Sequence, residues 1–364
     1  MSLQCGIVGL PNVGKSTIFN ALTENEIAAE NYPFCTIEPN TGVVPVPDPR
    51  LDALAAISKS LKVLPTTVEF VDIAGLVRGA SKGEGLGNQF LSHIREVDAI
   101  AHVVRCFDDE NVVHVEGSVD PLRDVETIET ELGLADLETL EKRLDRTKKG
   151  AKSGDKDMRA AAEFLEGLRD HVGDGKPART FPVPDAQRKL FRDCHLLTAK
   201  PILYVANVDE ASLASGNEVS AALEAFAKDQ GAGTVRLCGK IEAELAALDD
   251  DEKREFLAEL GVAEPGLHRL IHAAYELLGL VTFLTTGPKE TRAWTVRSGT
   301  TAPAAAGTIH SDFESNFIRA EVTAYDAFVA AGSEVEAKAQ GKTRIEGKDY
   351  VVNDGDVVYF RTGA

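Results

Sequence analysis

The nine residues Gly9-Leu10-Pro11-Asn12-Val13-Gly14-Lys15-Ser16-Thr17 fit the pattern G-x-x-x-x-G-K-[ST] and directly follow the apolar stretch Cys5–Val8. Glycines at both ends of such a loop let the backbone curl until successive N–H groups face one anion. The lysine reaches the β and γ oxygens of a nucleoside triphosphate, and the following hydroxyl, Ser16, is placed to ligate Mg²⁺. The chemistry is phosphate binding, with Asn12, Val13, Gly14, Lys15, Ser16 and Thr17 as the expected contacts. Asn12 has two readings. Its side chain is a ligand for a monovalent cation, K⁺, near the phosphates, or it is an amide that steadies the loop.

A second group of residues fits the same chemistry. The strand-like run Val68–Val71 ends in Asp72-Ile73-Ala74-Gly75, a D-x-x-G pattern. A carboxylate at a strand end holds Mg²⁺ through water, and a glycine N–H meets the γ-phosphate without steric conflict. Glycines at 79, 83, 85 and 87 follow, a composition suited to a segment ordered only by the γ-phosphate. Thr36 lies between the two motifs, where a hydroxyl ligates Mg²⁺ and the N–H meets the γ-phosphate. Lys15, Thr36 and Gly75 are thus the groups expected at the transferring phosphoryl, and Ser16, Thr36 and Asp72 those expected at the metal. Leu76 stands where Ras-like enzymes carry the glutamine that orients the attacking water, so hydrolysis is expected to be slow.

For the base, the strand-like run Ile202–Ala206 leads into Asn207-Val208-Asp209-Glu210, at the place where Ras-like GTPases use N-K-x-D. Glu210 replaces the aspartate that clasps guanine, and Val208 replaces the lysine that packs over the base. Guanine specificity is relaxed or lost, and adenine, with an N6 donor and an N1 acceptor, becomes the fitting purine. Cys238-Gly239-Lys240 supply backbone contacts to the base edge.

These residues need a scaffold that gathers them. Apolar runs at Gly6–Gly9, Val68–Val71, Ala99–Val104, Ile202–Ala206 and Thr234–Leu237 alternate with amphipathic stretches after Lys15 and around Gln89–Arg95, an α/β pattern with a mostly parallel sheet. Between them, Leu134, Leu137, Leu140 and Leu144 recur among charges, predicting an inserted helical hairpin with its tip near Gly150–Asp155 and a returning arm over Ala160–Leu168. From about Gly279, short alternating runs at Leu280–Leu284, Arg292–Val296, Ile318–Val322, Asp349–Val352 and Val357–Phe360 predict a small mixed β domain. The expected division is 1–123 and 199–278 for the nucleotide-binding part, 124–198 for the insertion and 279–364 for the β domain.

Composition excludes several classes. With 58 acidic against 39 basic residues, the net charge of −19 argues against broad attraction to nucleic acid. Glu141–Arg159 is an exception, with eight basic residues against four acidic, and is the local candidate for an RNA contact; a solvated helix tip is the alternative. The run Asp249–Glu252 is expected to be a solvated turn or helix start. His93 is expected to be structural or on the surface rather than a catalytic base. The longest nearly apolar run, Leu277–Leu284, is too short to cross a bilayer, so no membrane association and a cytoplasmic location are expected. Five cysteines, Cys5, Cys35, Cys106, Cys194 and Cys238, are odd in number and widely spaced, which predicts reduced thiols; Cys35 is a candidate oxidant sensor beside the Thr36 segment.

The strings Gly9–Ser16, Asn31–Asn40, Asp72–Ser81, Asn207–Glu210, Gly307–Glu314 and Phe317–Val322 together resemble the YchF, or Obg-like ATPase, family of translation-factor-class P-loop proteins, over essentially all 364 residues. The resemblance implies a P-loop domain interrupted by a coiled-coil-like helical arm, then a C-terminal β-grasp domain of the TGS type. It implies ATP preferred over GTP, slow hydrolysis, and association with the ribosome or ribosomal RNA through the arm and the TGS domain, in translation or stress responses. A monomer is expected. Gly239, where the family more often has alanine, leaves a looser backbone at the adenine contact. Two other outcomes stay open on sequence: a conventional GTPase, and a nucleotide-gated scaffold whose output is protein binding.

Overall fold

The computed structural model describes residues 3–24, 40–73, 86–109, 112–115, 117–151 and 155–363. Thr36, Gly75, Leu76 and Cys35 lie outside the described residues.

In chain order, β1 (Gln4–Val8) leads through the glycine loop into α1 (Lys15–Glu24). Then come β2 (Thr41–Pro45), α2 (Pro49–Ser58), β3 (Val63–Leu64), β4 (Thr67–Asp72), α3 (Leu86–Glu96) and β5 (Ala99–Arg105). Next are α4 (Pro121–Ala151), α5 (Lys156–Gly173), α6 (Arg188–Arg192), β6 (Ile202–Asn207), α7 (Glu218–Asp229), β7 (Gly233–Leu237), α8 (Gly239–Ala246), α9 (Asp250–Glu259) and α10 (Gly266–Leu277). The chain closes with β8 (Leu280–Thr286), β9 (Thr291–Arg297), α11 (Ala302–Ile309), α12 (Ser311–Ser315), β10 (Phe317–Ala324), α13 (Tyr325–Ala331), α14 (Glu334–Ala339), β11 (Arg344–Glu346) and β12 (Asp356–Thr362).

The chain forms two compact units, one of Met1–Gly42 with Glu69–Ala273 and one of Val43–Val68 with Ala274–Ala364. The first is built on a sheet of order β2-β4-β1-β5-β6-β7. β1 pairs in parallel with β4 and β5, as do β5 with β6 and β6 with β7. Every residue of β5 and β6 is buried, which explains their unbroken apolar runs: parallel strands covered on both faces have no solvent side to mark with polar residues. Because β4 and β5 flank β1 on opposite sides, the sheet has its switch point at the end of β1, where α/β folds bind ligands.

The predicted arm is present. α4 is 31 residues long, roughly 45 Å, and α5 returns along it with Asp155 capping its first turn. Leu140, Leu144, Leu165 and Leu168 form the seam, at 0–3% exposure. Burial of each such side chain contributes about 1.5–3 kcal/mol. Leu134 departs from the expected stripe and is 44% exposed. The base of the arm is fixed by Asp136, fully buried on α4, whose carboxylate accepts from Leu197 N (2.7 Å), Thr198 N (2.8 Å) and Thr198 Oγ1 (2.6 Å).

The second unit is a sheet of order β11-β10-β12-β8-β9-β3. It corrects the expected boundary, because Val43–Val68 belongs here rather than with the nucleotide-binding part. Leu51 and Leu54 of α2 pack on Leu284, Ala293, Phe328 and Val357, and Val63 and Leu64 pair with Thr291 and Arg292. The helix is started by Asp48 and Pro49 and stopped by Lys59 in the left-handed region. A second correction concerns Asp349–Val352, expected as a strand. Its backbone serves α11 instead: Ala302 N donates to the Tyr350 carbonyl at 2.7 Å, and Val351 makes only an isolated bridge to Thr301. Among the described residues no helix is long and apolar enough to cross a membrane.

Candidate functional site

The phosphate loop leaves β1 at Gly9, where an added Cβ would lie 2.5 Å from the Val103 carbonyl oxygen of β5. Asn12 (φ 63°) and Gly14 (φ 96°) adopt left-handed backbone conformations, and an added Cβ at Gly14 would fall 2.3 Å from Asn207 Nδ2. The loop therefore requires glycine at positions 9 and 14 and forms the concave row of N–H groups an anion needs. α1 starts where Ile18 N donates to the Gly14 carbonyl at 3.0 Å. Ser16 and Thr17 are exposed on its first turn, as a metal-binding hydroxyl requires.

Lys15 is 7% exposed and its Nζ donates to the Leu10 carbonyl at 2.8 Å. Burial lowers its pKa to about 8, with Asp72 opposing the shift. Asp72 ends β4 opposite Ile7 of β1. Burial raises its pKa, with Lys15 opposing, and its buried Oδ1 has no hydrogen-bond partner among the described residues. Two desolvated groups of opposite charge thus share one end of the sheet. The unpartnered carboxylate oxygen at the end of β4 and the exposed serine hydroxyl on the first turn of α1 are both oxygen donors of the kind Mg²⁺ prefers.

On the base side, Asn207 is 4% exposed and both ends of its amide are used. Nδ2 donates to the Val13 carbonyl and Oδ1 accepts from Gly239 N, each at 2.9 Å. It therefore ties the phosphate loop to the β7–α8 turn. Val208 is buried at 1% exposure with its N–H on the Leu237 carbonyl (2.9 Å), so its side chain is turned away from solvent. Cys238 is buried as the N-cap of α8, Gly239 is buried behind it, and Lys240 is exposed. Asp209 caps the short 3-10 turn Glu210–Ser212 by accepting from Ser212 N at 2.8 Å. Glu210 is exposed, and no described residue hydrogen-bonds its carboxylate. Both acids of the N-x-D-E string are exposed; Asp209 has one oxygen committed to the cap, and Glu210 has neither.

For Asn12, Nδ2 donates to the Val113 carbonyl at 3.2 Å. The loop-steadying reading holds for the nitrogen, and the side-chain oxygen is the atom left for a cation. Two residues that the motifs did not single out matter here. Arg105, at 2% exposure, donates to the carbonyls of Phe107 (3.1 Å), Val112 (2.9 Å) and Asp109 (3.3 Å), and so shapes the loop whose Val113 carbonyl meets Asn12. An arginine closing the apolar run Ala99–Val104 was the available signal. His102, 1% exposed on β5, is neutral, its pKa lowered to about 3 by burial and by the charges of Lys15 and Arg179. His93 is exposed on α3, as expected. Asp249 caps α9, confirming Asp249–Glu252 as a helix start. Cys5, Cys106, Cys194 and Cys238 are free and buried.

Residues 4–139 match a family model described as "50S ribosome-binding GTPase". Residues 280–363 match a model called YchF-GTPase_C, described as a protein of unknown function. The chain is similar throughout to proteins named "Ribosome-binding ATPase YchF". It is 56% identical over 361 residues to that of Haemophilus ducreyi, 55% over 363 residues to that of Bacillus subtilis and 54% over 360 residues to that of Escherichia coli O157:H7, each time covering 99% of both chains. A solved structure of the Schizosaccharomyces pombe YchF GTPase superposes with a TM-score of 0.89 at 36% identity, over 99% of this chain and 98% of that one.

Proposed function

This chain belongs to the YchF family, and from that premise we propose that it is a ribosome-associated P-loop ATPase that binds ATP in preference to GTP and hydrolyses it slowly as a nucleotide-dependent switch in translation or stress response. The observation that carries the base choice is the division of labour after β6. Asn207 is committed to the two loops and one oxygen of Asp209 to a helix cap, whereas both oxygens of the exposed Glu210 carboxylate are without a partner among the described residues. One methylene longer than aspartate, it does not hold the position from which an aspartate takes both guanine donors, whereas the adenine amino group needs one acceptor.

Lys15 and the N–H groups of Asn12–Thr17 bind the phosphates, and Thr36 and Gly75 meet the γ-phosphoryl. Ser16, Thr36 and Asp72 would hold Mg²⁺, which when bound neutralises charge on the β and γ oxygens. The side-chain oxygen of Asn12 is the proposed ligand for K⁺. The backbone of Cys238, Gly239 and Lys240 borders the base. Without a glutamine at position 76 the chain has no side chain there to orient water, which is why turnover is slow. The arm and the C-terminal unit are the proposed ribosome contacts, the former through the basic residues of Glu141–Arg159. The protein acts in the cytoplasm as a monomer.

A crystal grown with equimolar ATP and GTP analogues tests the base assignment. Adenine within hydrogen-bond reach of Glu210 is the expected result. Guanine seated against Glu210 would overturn it.

A further inference from the structure

The sheet of the second unit is open at one place. β12 and β8 are parallel neighbours, yet their register consists of the single pair Val357 and Leu284, preceded by a bond from Gly355 N to the Thr282 carbonyl (2.8 Å). Past that pair β8 runs only to Thr286 before turning back into β9, with Thr286 opposite Thr291. β12 instead runs on to Thr362, paired along its other side with β10. On the side facing β8, no described strand pairs with 358–362. A strand left in this way presents backbone donors and acceptors to any extended chain that comes alongside.

A cavity of about 830 Å³ lies along this edge. Its two walls have different chemistry, because successive side chains of a strand point to opposite faces. Val358 and Phe360 face the apolar cluster, and with Trp294, Ile309 and Phe313 they make one wall. Tyr359 and Glu321 belong to the other wall, together with Lys338. There Arg361 lies 4.2 Å from the Tyr359 ring centroid and donates to Glu321 at 2.8 Å. Lys338 (2.8 Å) and Arg319 (3.7 Å) also pair with Glu321, and Lys338 with Glu334. Arg361, Arg319 and Lys338 share Glu321 and Glu334 on this side, and Lys289 and Glu290 also line the cavity; four cations against three carboxylates leave one cation in excess, which suits an acidic group.

We propose that this opening is a strand-addition site: an extended peptide with alternating apolar and acidic side chains pairs with the free edge of 358–362, its apolar side chains against Trp294, Phe313 and Phe360 and its carboxylates toward Arg361, Arg319 and Lys338. A single-stranded nucleic acid would use the cations and the Tyr359 ring, but neither the backbone edge nor the apolar wall. The peptide uses all of these, which is why it is the favoured occupant.

Trp294 is the only tryptophan of the chain, so its fluorescence reports on the cavity without labelling. The full-length protein is titrated with the hexapeptide acetyl-Glu-Val-Glu-Phe-Glu-Val-amide. The expected result is a saturable change in Trp294 emission with half-saturation below about 1 mM, together with slowed amide exchange within 358–362. The same peptide N-methylated at every residue cannot pair with a strand edge and should bind at least about tenfold more weakly. A version with lysine for glutamate should weaken as well. The proposal is overturned by no saturable change up to about 1 mM, by equal binding of the N-methylated peptide, or by oligouridylate producing the emission change where the peptide does not.

Discussion

Asn207 Nδ2 donates to the Val13 carbonyl at 2.9 Å, joining the end of β6 to the phosphate loop. The same amide accepts from Gly239 N, so the turn expected at the base edge and the loop expected at the phosphates are held by one side chain. The two loops are therefore coupled through Asn207.

Replacing Asn207 with alanine removes both bonds and leaves the buried Gly239 N–H unsatisfied. At about 1 kcal/mol for each lost bond, and more for a stranded donor, ATP affinity should fall roughly 10- to 100-fold. Asn207→Asp keeps the acceptor for Gly239 N but not the donor to Val13, and should fall between the two. Calorimetric titration of the three proteins checks this. Equal affinities would show that the clamp does not shape the site.

The buried Lys15 predicts a pH dependence. Its pKa is lowered to about 8 in the ligand-free protein from 10.5 in the unfolded chain. Between about pH 8 and 10.5 the unfolded chain binds the extra proton, so this group's contribution to stability rises with pH across that window. Below pH 8 its buried charge is a cost of the order of 3 kcal/mol. Lys15→Met should accordingly raise the melting temperature of the ligand-free protein at pH 7 while abolishing ATP binding, with the stabilisation shrinking toward pH 10. For the wild type, ATP affinity should be flat up to about pH 7 and decline above 8, where phosphate binding must first recover a proton. A melting temperature lowered at pH 7 by Lys15→Met would contradict this.

Asp72 has the opposite sign. Its folded pKa is raised by burial, so its contribution to stability is present at low pH and is lost as pH rises from the ordinary carboxylate value through the raised one. Asp72→Asn should stabilise the ligand-free protein at neutral pH and reduce the gain in ATP affinity on adding Mg²⁺. Thermal melts and titrations with and without EDTA measure both effects.

Asp136→Ala strands two buried N–H groups at the base of the arm. A loss of about 2–4 kcal/mol is expected, read as a clear drop in melting temperature, with Asp136→Asn less affected. An unchanged melt would mean that the arm is positioned by its apolar seam alone.

Reversing Lys148, Lys149 and Lys152 to glutamate should weaken ribosome sedimentation and flatten its salt dependence. Lys148 is paired with Glu166, so the single reversal of Lys149 should cost more than that of Lys148. Sedimentation unchanged across salt concentrations would remove RNA contact from the role of this patch.

The phosphate loop and Asp72 were legible in the sequence because their chemistry is covalently local: a few consecutive residues fix both the turn and the ligands. The strands that carry them were legible because parallel strands buried on both faces must be apolar throughout, as β5 and β6 are. What the sequence could not show were partnerships between distant residues. Nothing near Asn207 announces Val13, nothing near Arg105 announces the loop that it props, and α2 carries no mark that its leucines pack on Leu284 and Phe328. Asp349–Val352 has the alternation of a strand, but its backbone groups are taken by the cap of α11, a competition invisible to periodicity.

The central claim is the choice of purine, and equilibrium dissociation constants for ATP and GTP measured side by side on the same preparation in Mg²⁺ test it most directly. ATP should bind more tightly, and Glu210→Asp should narrow or reverse the ratio. GTP binding at least about tenfold tighter than ATP, with Glu210→Asp leaving the ratio untouched, would contradict it.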